Sequence, residues 1–263
     1  MNLSFSTVAC PGWSLAQAAS AAHTFGYQGI ELRVLDGKVV EPSTLIGRSA
    51  EVLETLGDIK VASIDTSIAL AVDGPEWAGQ LEEFCASAAA VGAPVVRVWG
   101  GRYPSSVRYE EAVEQVSKRL NEAASIAEAA SVQVLLETHD AFSALSVMED
   151  VFANIPSPHV GVLWDVHNTY AVGKSSPHEV WSSLGDRIAQ IHVKDARPGA
   201  GELWDPVLLG FGAVPVRESV ETLKQADFGG WLSLNWLKFQ RPELEEPEIA
   251  LPQYSGLLQE WIK

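Results

Sequence analysis

Four residues of metal-ligand type stand late in apolar runs: Glu137 in VLLETHD, Asp165 in VLWDVH, His192 in QIHVKD and Asn235 in LSLNW. A charge or an amide in such a run is costly to bury unless its polar atoms find partners. Two carboxylates, an imidazole and an amide oxygen together suit one divalent cation. Mn²⁺ is the first expectation, with Mg²⁺, Co²⁺ and Zn²⁺ also compatible with this ligand set. Each residue alone has a plainer reading. A strand-end carboxylate commonly caps a helix or makes a salt bridge, a buried histidine commonly hydrogen-bonds within a core, and Asn235 alone reads as a structural amide. The metal is favoured by the recurrence of four such residues at equivalent positions on successive runs.

The elements that must position them alternate along the chain. Short β-rich runs are expected at 3–9, 29–34, 61–67, 95–100, 132–138, 160–166, 189–195 and 231–236. Between them lie segments with helical spacing, the clearest at 14–26, 77–92 and 109–130. Shorter ones follow in ALSVMEDVFANI, PHEVWSSLG and PVRESVETLKQAD. Strands alternating with helices imply a parallel sheet, and eight such units in this length fit a single-domain (β/α)8 TIM barrel over 1–263. The turn after the first strand, CPGW, lacks the G-x-G-x-x-G pattern expected of a doubly wound dinucleotide fold. In a barrel the C-terminal strand ends carry the site. They supply Glu31 and Arg33, Arg97, Glu137 and His139, Asp165 and His167, His192, Lys194 and Asp195, and finally Asn235 and Lys238.

Composition narrows the classes of partner. The 263 residues carry a formal net charge of -16, with a pI near 4.7. Such a surface repels phosphate backbones and anionic membranes, so neither nucleic acid nor a membrane is an expected partner. No stretch reads as a signal peptide or a membrane span, and a cytoplasmic location is the expectation. Two cysteines, Cys10 and Cys85, form no disulfide framework.

The motifs GYQGIELR, LLETHD, LWDVHN and IHVKD, with FSTVACPGWSL at the start and LSLNW near the end, resemble the sugar isomerase/epimerase superfamily with the xylose isomerase-like barrel. Ketose 3-epimerases, hydroxypyruvate isomerase, inosose dehydratase, 3-dehydroshikimate dehydratase and endonuclease IV share that fold. The resemblance implies Glu137, Asp165 and His192 as ligands of one metal, and His167 of the Trp164-Asp165-Val166-His167 pattern as a group that binds substrate hydroxyls. It implies a glutamate at the fourth position, where this chain has Asn235. An amide coordinates more weakly and cannot exchange a proton at neutral pH, so one of the two acid/base groups of an epimerase is missing.

The expected chemistry is proton abstraction next to a carbonyl of a small sugar-like substrate, with the metal as Lewis acid. Glu137 is expected as ligand and general base together. His139 and His167 are the further catalytic candidates, with Lys194 another proton donor. Asn235 shifts weight from 3-epimerisation towards isomerisation, or towards β-elimination on a keto-sugar or keto-glycoside. A barrel that binds sugar without turnover is a further alternative. Trp13, Arg33, Trp99, Lys194 and Trp236 are the expected substrate-binding residues, and Trp204 belongs with the same aromatic set. Glu31 is expected in a structural role or behind the ligands, and Asp195 as a partner of a ligand histidine or lysine. A homo- or hetero-oligomer is compatible with all of this.

Overall fold

The structure is a computed structural model, which describes residues 1–200 and 203–263. Eight parallel strands close into a barrel: β1 (Asn2–Ser6), β2 (Gly29–Leu32), β3 (Lys60–Ala69), β4 (Val95–Trp99), β5 (Gln133–Glu137), β6 (Val160–Asp165), β7 (Ile188–Val193) and β8 (Trp231–Leu234). Each pairs with its neighbours in chain order, and β8 closes on β1 with Phe5 opposite Leu234. All eight fall where the alternation of the sequence predicts them.

The outer layer comprises α1 (Leu15–Phe25), α2 (Pro42–Gly47), α3 (Ser49–Leu56), α4 (Trp77–Ala90), α5 (Tyr109–Ala130), α6 (Leu145–Phe152), α7 (Val166–Ala171), α8 (Pro177–Leu184), α9 (Val216–Gln225) and α10 (Pro247–Ile262). Local chemistry starts and stops them. Ser14 and Gln17 form a capping box on α1, and Ser176 and Glu179 form one on α8. Gly26 ends α1 in the left-handed conformation, φ 77°. The pair α2–α3 and the C-terminal α10 lie outside the helices expected from the sequence.

Strand alternation divides the barrel into two environments. Side chains of one parity face the helices and form the main core, with Phe5, Ile30, Leu32, Val96, Val98, Leu136, Trp164 and Leu234 all buried. Full burial of one such aliphatic or phenyl side chain contributes roughly 1.5–3 kcal/mol. The other parity faces the axis. Val95, Leu135 and Leu163 there make a small separate apolar cluster. One step further along the same strands stand Arg97, Glu137 and Asp165, joined by Glu31, Asp65 and His192, all buried. The mouth half of the barrel interior is therefore ionic.

Two antiparallel hairpins decorate the mouth, Val34–Leu35 with Lys38–Val39 and Asp195–Pro198 with Trp204–Val207. The second is pinned by Asp195. Its buried carboxylate accepts four backbone N–H groups, from Ala196, Gly210, Gly212 and Val214, at 2.8–3.2 Å. A Cβ at position 212 would collide with that carboxylate. Asp195 is thus a fastener of the 210–214 loop and does not orient a histidine or lysine. The Gly210-Phe211-Gly212 turn spends both glycine amides on it. Cys10 and Cys85 are buried free thiols.

Candidate metal centre and mouth cavity

Glu137, Asp165 and His192 come together. Each offers one ligand atom, and the three atoms lie within 4.8 Å of one another. Sheet register explains this, because Asp165 sits opposite His192 across β6 and β7, and Glu137 ends the adjacent β5. A second group, Glu31, Asp65 and His192, meets the same distance condition on the other side of the imidazole.

The two ring nitrogens of His192 separate these groups. Nδ1 lies 3.1 Å from Glu137 Oε1, and Nε2 lies 3.1 Å from Glu31 Oε2. Burial alone would push the His192 pKa down, but the Glu31 and Glu137 carboxylates hold it well above the ordinary value. Burial alone would push Glu137 up; His192 and Arg97 overcome this and hold it well below the usual carboxylate range. Burial raises Glu31, and His192 only partly offsets it.

Every acid here has a cation or donor. Glu137 Oε2 accepts a hydrogen bond from Trp99 Nε1 at 2.8 Å and faces Arg97 Nε at 3.2 Å. Asp65 lies 3.5 Å from Arg97 Nη2 and accepts from Ser63 Oγ at 3.0 Å. The second oxygen of Glu31 accepts from the Gln190 amide. Asp165 Oδ1 caps α7 by accepting from Asn168 N at 2.9 Å, and Asp165 Oδ2 accepts from Lys194 Nζ at 2.6 Å.

Asn235 stands just past β8, half-buried, with its amide 3.3 Å from His192 Nδ1. Nδ1 also faces Glu137 and donates there when protonated. A half-turn of the amide exchanges its two atoms, and the oxygen is the one that suits this neighbour. The donor set, two carboxylates, one imidazole nitrogen and one amide oxygen, fits a divalent cation of borderline hardness.

Beyond this centre opens a cavity of about 470 Å³, lined among others by His139, Asp140, His167, Asn168, Lys194 and Trp204. Asn168 Nδ2 donates to the Thr138 carbonyl, so its Oδ1 is left to accept from His167 Nδ1 at 3.1 Å. This fixes the tautomer: the proton sits on Nδ1, and Nε2 is a buried lone pair without a hydrogen-bond partner among the described residues. Burial, then the Lys194 charge, lowers the His167 pKa. Trp204 holds the ring edge-on at 5.6 Å. His139 stacks on Trp99, 4.9 Å between ring centres and 9° between planes. Its Nδ1 lies 2.9 Å from Asp140 Oδ2, off the direction of a hydrogen bond, and Arg102 Nε donates to Asp140 Oδ1 at 2.7 Å.

The family model described as Xylose isomerase-like TIM barrel matches residues 19–253. The chain belongs to this family. No curated protein sequence matches it. Among solved structures, the xylose isomerase-like barrel is similar to an IolI protein with a bound zinc atom, at 18% identity and TM-score 0.84, covering 100% of this chain and 98% of that one. It is similar to the 3-keto-D-glucoside 4-epimerase YcjR from E. coli, at 16% identity and TM-score 0.78, covering 99% of each chain. It is also similar to the probable 3-DHS dehydratase AsbF from Bacillus anthracis, at 18% identity and TM-score 0.76, covering 98% and 99%. At these identities the likeness is one of fold.

Within this xylose isomerase-like barrel the five expected substrate contacts stand in different surroundings. Of the five, Lys194 lines the cavity and Trp13, Arg33, Trp99 and Trp236 do not. Trp236 is fully buried, tilted against Tyr254, and donates to the Glu245 carbonyl. Parity is the reason, since adjacent residues face opposite sides and Asn235 already takes the axial side. Arg33 spends its guanidinium on the Asp65 carbonyl and Ser67 Oγ. Trp99 is committed to Glu137 and His139, and Trp13 packs on the core. Asp65 was not singled out in the sequence, although VASIDTS presents an acid in an apolar run as VLWDV does. The hairpin residues Ala196 and Pro206 line the cavity without any sequence signal.

Proposed function

We propose that this chain is a divalent-metal-dependent enzyme that removes a proton α to a carbonyl of a small sugar-like substrate. The observation that carries the reading is the convergence of Glu137, Asp165 and His192 beside a cavity lined by two histidines of different character. Glu137, Asp165 and His192 would hold the cation, with the Asn235 oxygen as fourth donor. A cation bound there supplies Lewis-acid polarisation of the substrate carbonyl.

The chain's own groups divide the proton work. Glu137 Oε2 is taken by Trp99 and Arg97 and Oε1 is turned toward His192 Nδ1, which makes it a ligand before a base. His167, with its proton fixed on Nδ1 and a free Nε2 lone pair, takes the α proton, and the electron pair moves onto the carbonyl oxygen. For isomerisation the same imidazole returns the proton to the former carbonyl carbon, while the neighbouring hydroxyl gives its proton to the former carbonyl oxygen and becomes the new carbonyl. For epimerisation His139, backed by Asp140, delivers one to the other face. A β-elimination is the second reading, favoured by the neutral Asn235 in place of a second acid. His139 then protonates the leaving group.

All three outcomes share the first step, so hydrogen exchange tests them together. Mn²⁺-loaded protein is incubated in D2O with ketoses, inososes and 3-keto-glycosides, and deuterium at the α carbon is followed by NMR. Exchange that depends on metal and is lost in His167→Gln supports the reading. Exchange that stays intact in metal-loaded His167→Gln would take the base role from His167 and return it to Glu137. Bound metal of about one per chain is expected, lost with Glu137→Gln.

A further inference from the structure

The charges around His192 raise the question of what occupies Asp165 when a cation arrives. Four carboxylates, Glu31, Asp65, Glu137 and Asp165, are buried at the mouth half of the barrel, with Arg33, Arg97 and Lys194 as the buried cations beside them. Glu137 keeps Oε1 on the side of the ligand histidine while Arg97 and Trp99 occupy Oε2. Asp165 has no such spare oxygen. Oδ1 receives the Asn168 backbone N–H, which cannot leave without unwinding the first turn of α7. Oδ2 receives the Lys194 ammonium. An ammonium on a four-carbon stem is the one partner that can yield, and Lys194 also lines the mouth cavity.

We infer that Lys194 is a built-in counter-ion that a divalent cation displaces from Asp165, and that loading the centre hands its ammonium to the substrate cavity. This rests on the metal-dependent reading above. Two cations sharing one carboxylate oxygen repel strongly in a buried site. The metal-free protein is kept neutral at Asp165 by Lys194, and the loaded protein gains a positive group where an enediolate oxygen develops. Metal would then bind before substrate. Lys194 is on this account a positioning charge for the empty centre and a substrate-facing charge for the filled one.

The test titrates Mn²⁺ alone into the full-length chain by calorimetry, comparing wild type with Lys194→Met and Lys194→Gln. Removing the competing charge should tighten Mn²⁺ binding by at least about tenfold in both variants. The Gln variant guards against misfolding of the Met variant, which leaves Asp165 buried and unpaired. In parallel, lysines are methylated with ¹³C-formaldehyde in the wild type and the Lys194 resonance is followed while Zn²⁺ is added. It should move on loading. Unchanged or weaker Mn²⁺ affinity in folded variants, or a Lys194 resonance indifferent to Zn²⁺, would overturn the inference while leaving the metal centre in place. No binding of Mn²⁺ or Zn²⁺ by any of the three proteins would overturn the metal reading itself, and the inference with it.

Discussion

Replacing Glu31 by glutamine separates the two ligand groups that share His192. Glu31 is fully buried, with Oε2 at 3.1 Å from His192 Nε2 and its other oxygen facing the Gln190 amide. If the cation sits on the Nδ1 side, with Glu137 and Asp165, then Nε2 carries the proton and Glu31 fixes it there. Glu31→Gln keeps size and shape but has one oxygen for two donors, His192 Nε2–H and the Gln190 amide. One contact becomes donor against donor. Losing the carboxylate behind a ligand histidine costs about 10–100-fold in metal affinity, which is about 1.4–2.8 kcal/mol. A chelator competition with Zn²⁺ measures this, with stoichiometry read separately by elemental analysis. Affinity within about twofold of wild type would refute the argument. Complete loss of bound metal would place the cation on the Nε2 side, with Glu31 as a ligand, and refute it in the other direction.

Other consequences can be checked with the protein alone. Asp195→Ala removes the acceptor of four backbone N–H groups. At about 1–3 kcal/mol per buried unsatisfied group, with partial relief from water at Gly210 and Gly212, denaturant unfolding should show a loss of about 3–5 kcal/mol. Burial pushes the thiols of Cys10 and Cys85 each up to about 12, helped by Glu248 and Glu82 respectively. Neither should react with a thiol reagent near neutral pH until the chain is unfolded, and early reaction would show that one of them is exposed by local opening. His139, and to a smaller extent Arg102, holds the Asp140 carboxyl below its ordinary value. Its contribution to stability is complete above the unfolded pKa of about 4 and fades as pH falls through the lower folded one. Thermal unfolding of Asp140→Asn should therefore differ from wild type near neutrality and converge with it in acid.

The barrel and the convergence of Glu137, Asp165 and His192 were legible because both rest on period. Acids and a histidine interrupting apolar strands, at the same distance from each strand end, point to one axis before any coordinates exist. The contact of Glu31 with His192 carried no sequence signal of its own, since it joins strands far apart in the chain. The partners of the tryptophans were less legible. Trp236 follows Asn235 by one residue and is fully buried against Tyr254, on the side away from the amide. Arg33 and Trp99 share the parity of the site, but long side chains choose among several buried partners, and the sequence does not state which. The hairpin that brings Trp204 and Pro206 over the mouth depends on Asp195 gripping amides fifteen or more residues ahead, a long-range contact with no local periodicity. The α2–α3 pair starts without a side-chain cap, so its onset carries no strong local signal.

Asp165 caps the helix that carries His167 and stands as well in the group of side chains placed to bind a metal. Position 165 is therefore a poor place for the protein to drift. A neutral substitution there would loosen the first turn of α7, shift the imidazole and strand the Lys194 ammonium in one stroke. Asn235 has no such ties. It is half-buried, beyond the end of its strand, and among the described residues its side chain hydrogen-bonds only with the histidine ring. Variation in the ligand set of a barrel like this is thus channelled toward the eighth strand, where a change alters the charge of the centre without dismantling its frame. New reactions can be tried at that corner while the rest of the apparatus keeps its shape.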